Sequence, residues 1–484
     1  MLPIKLYRNE QIRAFDRLAI EQGIPSFKLM TRAGHALFRH IQHHHNKARS
    51  FAVFCGSGNN SGDGYIVARL LHRENFKVCV YTVAEPEQLR GDALTAYHHY
   101  ALENGAIKAF DVNETIDADV IIDALFGLGL TRPIEGVYAD AVEKINQHDG
   151  VVVAIDIPSG LNADTGMVMG CAVKANATVT FIGMPQGLLT GEAADYCGDI
   201  VYDPLDIPQS VLATQKPSAV RVVHQKLPRR LRCSHKGTYG HVLIVGGDQG
   251  YTGAARLAGE AALRCGAGLV SIATRHAHAA LLNVHRPELM CHGVETAETL
   301  KPLLEKASVV AIGTGLGQHT WAKTLLTATL HSQKTLIVDA DALNLLARQP
   351  QKRDNWILTP HPAEAARLLN ISTKEVQQDR FAAVSALQQQ YGGVVVLKGN
   401  GSLIASNGRI ALSNTGNAGM ASGGMGDVLT GTIAALVAQG LDLVQAAEQG
   451  VYLHGKAADD AARHGERGLI ASDLFAYLRM GVNE

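Results

Sequence analysis

The segment from Asn417 to Leu429, which reads NAGMASGGMGDVL, combines a flexible backbone with a single carboxylate. Its glycines let backbone N–H groups approach a ligand closely. The apolar run that follows, residues 428–437, indicates a helix beginning near Asp427. The first N–H groups and the positive dipole end of such a helix form an anion site, where Asp427 could accept a proton. A glycine-rich turn in which Asp427 only caps the helix predicts the same pattern.

Several further segments of the second half place glycines or charged residues where a strand is expected to end. These segments are His241–Asp248, Val310–Gly317, Thr359–Glu364 and Val396–Gly399. Ligands of open parallel sheets gather at the carboxyl ends of strands. Lys398 suits a phosphate because its ammonium is a compact cation. The N–H groups of Gly424, Met425 and Gly426 suit the charge that develops in phosphoryl transfer, and Asp427 suits the proton of the accepting hydroxyl.

The first half contains a comparable loop at Cys55–Gly64, which reads CGSGNNSGDG. It follows an apolar run and precedes a helix-like segment, so it suits a phosphate at a helix N-terminus. Ser61 stands where a dinucleotide-binding fingerprint has its third glycine, which argues against that motif. The alternative is a capped turn in which Asp63 is the helix cap.

Two aspartates of the first half, Asp123 and Asp156, end or follow apolar runs. An aspartate in such a position needs a partner or a metal ion. Together with Asn59 and Ser159 they offer only oxygen ligands, which hard cations prefer. A pair of buried aspartates satisfied by loop N–H groups is the alternative.

These residues must be positioned by alternating strands and helices. Near-continuous apolar strands between amphipathic stretches predict parallel α/β structure in both halves. Asn-Gly at 407–408 predicts a hairpin in the second half. The periodicity loosens over residues 206–230, where we place the domain boundary. The predicted strands are Phe51–Gly56, Lys77–Val83, Val120–Phe126, Val151–Ile157, Ala177–Ile182 and Asp199–Asp203, then His241–Gly246, Leu269–Thr274, Val309–Thr314, Thr335–Asp339, Trp356–Thr359, Val394–Lys398, Ser402–Ala405 and Arg409–Leu412.

Composition limits the class of protein. A chain of 484 residues predicts two domains. The net charge of −1 implies no general attraction to nucleic acid or membrane, and no apolar run reaches membrane-spanning length. Seven dispersed cysteines without a Cys-x-x-Cys pair argue against a disulfide framework or a zinc site, and they favour a reducing cytoplasm. The basic segment Lys226–Arg232 is interpreted as a solvated linker, and His40 with His43–His45 as a solvated helix end.

The second half resembles the ADP-dependent NAD(P)H-hydrate dehydratases, which have a ribokinase-like fold. The resemblance rests on Thr359–Pro362, Leu397–Gly399 and Gly416–Leu429, and it covers residues 225–480, within an expected domain of 222–484. It implies removal of water from the damaged cofactor NAD(P)HX while ADP becomes AMP and phosphate, together with Mg²⁺. The chain has Ala363 where the family often has glycine, which costs loop freedom but removes no functional group.

The resemblance implies a role for each matching residue. Asp427 is the catalytic base that activates the substrate hydroxyl. The hydrate contacts are Ala254, Gly315, His361 and Asp427, and the nucleotide contacts are Lys398, Gly399, Asn400, Gly401, Ser402, Gly424, Met425 and Gly426. His361, between two prolines, is alternatively a structural turn residue. An ATP-dependent small-molecule kinase fused to a non-catalytic Rossmann-like binding domain is the rival interpretation, because the same machinery phosphorylates a hydroxyl in both reactions.

The first half resembles the NAD(P)H-hydrate epimerases over residues 1–215, with Asn59–Gly64 as its most specific motif. That family commonly has glycine where this chain has Ser61. The resemblance implies a Rossmann-like three-layer α/β domain that interconverts the R and S hydrates, with potassium held by Asn59, Asp123 and Ser159. It implies Asp156 as the acid/base and Tyr138 as a residue that closes the pocket. The implied hydrate contacts are Asn60, Ser61, Gly62, Asp63, Gly127, Leu128, Gly129, Leu130, Thr131, Arg132, Pro133, Tyr138 and Asp156.

Both resemblances together imply one bifunctional enzyme, because an epimerase supplies a dehydratase that accepts one epimer. The expected partners are NADHX or NADPHX and ADP, without nucleic acid or membrane. We further expect a cytoplasmic homo-oligomer.

Overall fold

The chain folds into two compact units. Unit 1 spans Met1–Val220 and unit 2 spans Arg221–Glu484. The computed structural model describes residues 2–484, and none of the helices in that range is long and apolar enough to cross a membrane. All seven cysteines are free thiols.

Unit 1 is built on a seven-stranded parallel sheet. Residues 2–221 contain ten strands, of which seven form this sheet. The ten are β1 (Lys5–Tyr7), β2 (Ser50–Cys55), β3 (Lys77–Thr82), β4 (Ala106–Ala109), β5 (Val120–Ala124), β6 (Val151–Ile155), β7 (Ala177–Phe181), β8 (Met184–Pro185), β9 (Asp199–Asp203) and β10 (Ala219–Arg221). The helices of unit 1 are α1 (Asn9–Glu21), α2 (Ser26–His44), α3 (Asn59–Arg73), α4 (Gly91–Leu102), α5 (Val137–Asn146) and α6 (Gln209–Leu212). The sheet order is β4-β3-β2-β5-β6-β7-β9. The short strand β1 pairs with β8 and with β10.

Strand β2 shows why this sheet needs a layer on each face. Phe51 and Val53 belong to one buried core, whereas Ala52 and Phe54 belong to another. Alternate side chains of a strand point to opposite faces, so both faces are covered. The strand order reverses between β2 and β5, and the loops after these two strands therefore meet at a topological switch point.

Unit 2 has a nine-stranded sheet that is parallel up to β17. Its strands are β11 (His241–Val245), β12 (Leu269–Thr274), β13 (Met290–Gly293), β14 (Val309–Ile312), β15 (Thr335–Val338), β16 (Trp356–Leu358), β17 (Val394–Leu397), β18 (Ser402–Ser406) and β19 (Arg409–Ser413). The helices are α7 (Thr252–Arg264), α8 (His276–Leu282), α9 (Ala297–Lys306), α10 (Thr320–His331), α11 (Ala340–Arg348), α12 (Pro362–Leu369), α13 (Thr373–Gln378), α14 (Arg380–Tyr391), α15 (Met425–Ala438), α16 (Leu443–Ala461) and α17 (Leu474–Gly481). The sheet order is β13-β12-β11-β14-β15-β16-β17-β18-β19.

The predicted hairpin joins β18 and β19. Asn407 and Gly408 have φ values of 46° and 73°, and Ser406 pairs with Arg409 across the turn. Two positive φ values in a two-residue loop are the geometry that favours Asn-Gly. The strand order of unit 2 reverses between β11 and β14, which again brings two glycine-rich loops together.

The predicted α/β class is confirmed, and every predicted strand is present with its end shifted by no more than two residues. The edge strands β4 and β13 were missed because neither has a buried residue and neither forms an apolar run. The predicted boundary segment 206–230 contains the short elements α6 and β10. His40 is buried rather than solvated, and burial lowers its pKa to about 4.

Candidate active sites

In unit 2, the glycine loop leads into helix α15, which begins at Met425. Gly424 is the N-cap residue with a φ of 91°, and Asp427 is the third residue of the helix. The alternative in which Asp427 caps the helix is therefore wrong. Burial raises the pKa of the half-buried Asp427 to about 7, the charge of Asp339 raises it further, and Lys398 opposes both. Such a carboxyl can gain or lose a proton near neutral pH.

Lys398, at the end of β17, forms an ion pair with a buried carboxylate. Its Nζ donates to Oδ1 of Asp339 at 2.7 Å, and Glu364 Oε2 lies 3.9 Å away. The other oxygen of Asp339 accepts from Thr430 Oγ1 at 2.8 Å. Burial alone would lower the pKa of Lys398, but Asp339 and Glu364 outweigh it and raise that pKa. Lys398 therefore remains a cation, although its charge is partly compensated before any phosphate binds.

Gly426 brings the helix backbone onto this ion pair. A Cβ at Gly426 would lie 3.3 Å from Lys398 Nζ and 3.7 Å from Asp339 Oδ2. A side chain here would fill the space beside the ammonium. Glycine at position 426 therefore leaves the helix N-terminus open to a ligand that contacts Lys398.

His361 is the N-cap of helix α12. Its Nδ1 accepts the N–H of Ala363 at 3.0 Å, and Glu364 Oε2 accepts the N–H of His361 at 2.8 Å. His361 therefore has the structural role of a helix cap. Its other ring nitrogen, Nε2, lies 3.4 Å from Glu364 Oε1. Burial, with Lys398, lowers the pKa of His361, so the ring is neutral at neutral pH. Burial raises the pKa of Glu364 to about 7.

The loop of residues 398–402 is held by Arg380, which the sequence did not indicate. Arg380 is buried and donates to the carbonyls of Leu397, Lys398 and Gly401 at 3.3–3.4 Å. Gly399 has a φ of 135°, and a Cβ there would lie 2.8 Å from Arg380 Nη1. The structure therefore explains Gly399 by both conformation and space. Asn400 is exposed, and Ser402 Oγ donates to the Gly399 carbonyl at 3.0 Å.

Ala254 and Gly315 lie next to each other. Gly315, in the loop after β14, has a φ of 57°, and a Cβ there would lie 3.1 Å from that of Ala254 on α7. Leu257, one turn further along α7, would touch a Cβ at Gly424 at 2.5 Å. The structure thus links these two predicted hydrate contacts to the loop that precedes Asp427.

In unit 1, Asp123 is the penultimate residue of strand β5 and is fully buried. Its Oδ1 accepts from Ser159 Oγ at 2.6 Å and its Oδ2 accepts the Ser159 N–H at 2.8 Å. Burial raises the pKa of Asp123 to about 6, while these hydrogen bonds to Ser159 act to lower it. Phe126 O lies 3.1 Å from Ser159 Oγ. Three kinds of oxygen donor therefore meet here, as a hard cation requires.

Asn59, the third predicted potassium ligand, is the first residue of α3. It is exposed and lines a cavity of about 560 Å³ together with Glu87 and Arg90. Direct hydrogen bonds join the other two predicted ligands, Asp123 and Ser159. The participation of Asn59 with them stays a prediction.

Asp156 follows strand β6 in a left-handed conformation, with a φ of 67°. Its Oδ2 accepts the Leu128 N–H at 3.3 Å, and Thr180 Oγ1 lies 3.5 Å from Oδ1. A Cβ at Gly127 would lie 3.1 Å from Asp156 Oδ2 and 3.2 Å from Asn60 Oδ1. Burial raises the pKa of Asp156 to about 7, and the charge of Asp16 adds to this effect. A strained residue with a shifted carboxyl beside a glycine is typical of a catalytic position.

The motif after Asn59 occupies the first turns of α3. The N-cap residue is Gly58, so the alternative in which Asp63 caps the helix is wrong. Within the described range, Nδ2 of the buried Asn60 has no hydrogen-bond partner. Ser61 Oγ donates to the Ala124 carbonyl at 3.3 Å. Burial, with the charges of Asp156 and Asp16, raises the pKa of Asp63 well above its usual range.

The remaining predicted contacts of unit 1 lie on helix α3, in the loop after β5 and on α5. Gly62 packs closely against Met30 and Ala93. The Tyr138 ring lies 4.8 Å from the Phe126 ring, beside the loop after β5. The loop residues that are exposed are Gly129, Thr131, Arg132 and Pro133, whereas Leu128 and Leu130 are half-buried. Asp16 on α1 faces the same carboxyls, and the sequence did not indicate it.

Known proteins match the whole chain. The NAD(P)H-hydrate dehydratase family matches residues 242–479, and the family described as YjeF-related protein N-terminus matches residues 26–187. The bifunctional NAD(P)H-hydrate repair enzyme of Coxiella burnetii is 49% identical over 484 residues, which cover 99% of each chain.

Solved structures match the second half. A hypothetical protein of Streptococcus mutans is 32% identical with a TM-score of 0.50, covering 53% of this chain and 95% of that one. An ADP/ATP-dependent NAD(P)H-hydrate dehydratase of Bacillus subtilis, co-crystallised with ATP and Mg²⁺, is 33% identical with a TM-score of 0.48, covering 53% and 93%.

Proposed function

The chain belongs to the bifunctional NAD(P)H-hydrate repair enzymes, and from this premise we propose which residues perform each reaction. We assign dehydration of S-NAD(P)HX, with ADP as the co-substrate, to unit 2. We assign the interconversion of R- and S-NAD(P)HX to unit 1. The observation that carries the assignment is a carboxyl with a pKa of about 7 next to a glycine-containing loop in each unit, Asp427 in unit 2 and Asp156 in unit 1.

In unit 2, Asp427 accepts the proton of the substrate hydroxyl. The hydroxyl oxygen then forms a bond to the β-phosphorus of ADP, and the bond from that phosphorus to AMP breaks. Phosphate is a far better leaving group than hydroxide, so the ring nitrogen expels it and loss of a ring proton yields NAD(P)H. The helix N–H groups at Gly424–Gly426 and Lys398 stabilise the charge on the transferred group. Ala254, Gly315 and His361 orient the hydrate.

The nucleotide and Mg²⁺ have matching groups in unit 2. The backbone of residues 399–402, fixed by Arg380, accommodates the nucleotide next to Lys398. The carboxylates of Glu364 and Asp427 are oxygen donors of the kind that Mg²⁺ uses together with substrate phosphates. When bound, Mg²⁺ supplies positive charge to the phosphates.

In unit 1, Asp156 moves the proton at the hydroxyl-bearing carbon of the hydrate. Asn60, with its unpartnered amide, and the loop from Gly127 to Pro133 hold the substrate beside it. Asp123, Ser159 and Asn59 are the oxygen donors that we assign to potassium, which supplies positive charge next to the site. The buried carboxylate of Asp123, with the Ser159 hydroxyl and a backbone carbonyl, suits one monovalent cation. We also propose a cytoplasmic homo-oligomer, without nucleic acid or membrane as a partner.

The test is an assay with purified R- and S-hydrates, in which nucleotide and cation are varied. With ADP, the S-hydrate should give NADH absorbance at once, and the R-hydrate only as fast as epimerisation supplies it. Replacing K⁺ with choline should slow the R-hydrate reaction and leave the S-hydrate reaction unchanged. A phosphorylated alcohol made from ATP, with no NADH, would instead identify a kinase and contradict the proposal.

A further inference from the structure

Helix α1 precedes the segment that matches the epimerase-type family, which begins at residue 26. It is nevertheless packed onto unit 1. Ile12, Phe15 and Ala19 are buried at helical spacing, and the Phe15 ring meets the Tyr7 ring edge-on at 4.9 Å. A Cβ at Gly183 would lie 2.9 Å from Ile12 Cγ1. These contacts fix the position and rotation of the helix.

The rotation places Arg13 over the loop after β5. A Cβ at Gly129 would lie 2.5 Å from Arg13 Nη2, so the guanidinium lies directly over Gly129. Arg13 is exposed, and it forms no ion pair with a carboxylate of residues 2–484. A guanidinium with open donors beside a substrate loop can bind a diphosphate through two parallel hydrogen bonds.

Asp16 lies three residues after Arg13, on the same side of the helix. It is half-buried, and the charged groups that face it are Arg13 on its own helix, Asp63 on α3 and Asp156 after β6. Burial raises the pKa of Asp16 to about 6, and its charge raises the pKa values of Asp63 and Asp156. Three carboxyls therefore share one region with a single arginine.

We propose that α1 completes the epimerase site and that Arg13 binds the diphosphate of the hydrate dinucleotide. This proposal rests on the function proposed for unit 1. It assigns one residue outside the matched segment to substrate binding.

Binding of the diphosphate by Arg13 is tested with Arg13→Ala in the full chain. Arg17→Ala, also exposed on α1, is the matched control. The KM for the R-hydrate dinucleotide should rise roughly 10- to 100-fold, with kcat within about twofold, because charge-assisted hydrogen bonds are lost. Arg13→Lys should recover part of the affinity. With the phosphate-free riboside hydrate, Arg13→Ala and the parent protein should react equally. Equal losses on both substrates would overturn the binding role.

If Asp156→Asn itself retained epimerisation, the function proposed for unit 1 would fail instead.

Discussion

Dehydration should lose activity in mild acid, because the proposed base must be ionised to accept the hydroxyl proton. The pKa of Asp427 is about 7, which is more than three units above the usual value of an aspartate. Below pH 7 the ionised fraction of this carboxyl falls about tenfold per pH unit, and the initial rate should follow. Asp427→Asn should reduce the rate about 10²- to 10⁴-fold and remove this limb of the profile.

Asp339→Asn is the perturbation that tests the electrostatic origin of this pKa. The carboxylate of Asp339 repels the charge of Asp427 and holds Lys398 Nζ at 2.7 Å. Removing it ends the repulsion and leaves Lys398 with Glu364 as its remaining carboxylate neighbour, and both changes favour ionised Asp427. Removal of one nearby like charge typically shifts a carboxyl pKa by roughly one unit. The acid limb should therefore move to lower pH by about one unit.

The assay follows NADH absorbance from the S-hydrate between about pH 5.5 and 8.5, at saturating nucleotide at each pH. Asp354→Asn, which removes an exposed charge from the same unit, is the matched control and should leave the limb in place. Glu364→Gln removes the other carboxyl with a pKa of about 7; because Glu364 is a proposed Mg²⁺ donor the rate should fall, but the acid limb should remain. A limb that stays at the parental pH in Asp339→Asn, or moves to higher pH, would refute the reasoning.

Three further outcomes follow from the same contacts. Asp156→Asn should reduce epimerisation about 10²- to 10⁴-fold and leave dehydration of pure S-hydrate at the parental rate. Asp427→Asn should reduce dehydration and leave epimerisation unchanged. A coupled assay with each purified epimer measures the two rates. Asp123→Asn should abolish the stimulation of epimerisation by K⁺, which a titration of KCl against choline chloride at constant ionic strength checks; a stimulation equal to that of the parent would contradict the ligand role. Because the folded pKa of Asp427 lies above its unfolded value, its contribution to stability is present below about pH 4 and lost as the pH rises through 7, by up to about 4 kcal/mol. Asp427→Asn should therefore raise the calorimetric Tm of unit 2 at pH 8 more than at pH 5, and an equal change at both values would contradict this sign.

The sequence was sufficient for the parts of the fold that local patterns determine. Buried parallel strands are continuous apolar runs, so their positions could be predicted, and Asn407-Gly408 specified its own turn. The edge strands β4 and β13 could not be found in this way, because their residues are partly or fully exposed and pair on one side only. Helix starts were misplaced for a similar reason. Gly424 and Gly58 act as N-caps through backbone conformation, whereas the sequence left the nearby aspartates open as alternative caps.

The charged environment of each site could be predicted only in part. Lys398 and Asp427 were expected, but the buried partner Asp339 lies 59 residues before Lys398 in the chain. It ends a predicted strand, and a carboxylate at the carboxyl end of a buried strand was the available signal. Arg380 and Asp16 had no such signal, since each lies on a helix and acts on a loop that only the tertiary structure brings near it.

Each site pairs a carboxyl of raised pKa with a glycine that leaves space for a ligand. In unit 1 the glycine is Gly127, which faces Asp156 and Asn60; in unit 2 it is Gly426, which faces Lys398. Ionising a carboxyl that is shielded from water costs free energy. The space beside each glycine is open to the substrate. The free protein therefore carries a penalty at both sites near neutral pH. Substrate binding can offset that penalty in unit 2 because the hydroxyl offers a proton to Asp427, and in unit 1 because Asp156 shares its proton with the hydrate. The same arrangement on two different sheets follows from the proposed chemistry, since each proposed reaction uses one carboxyl to move a proton of the same substrate.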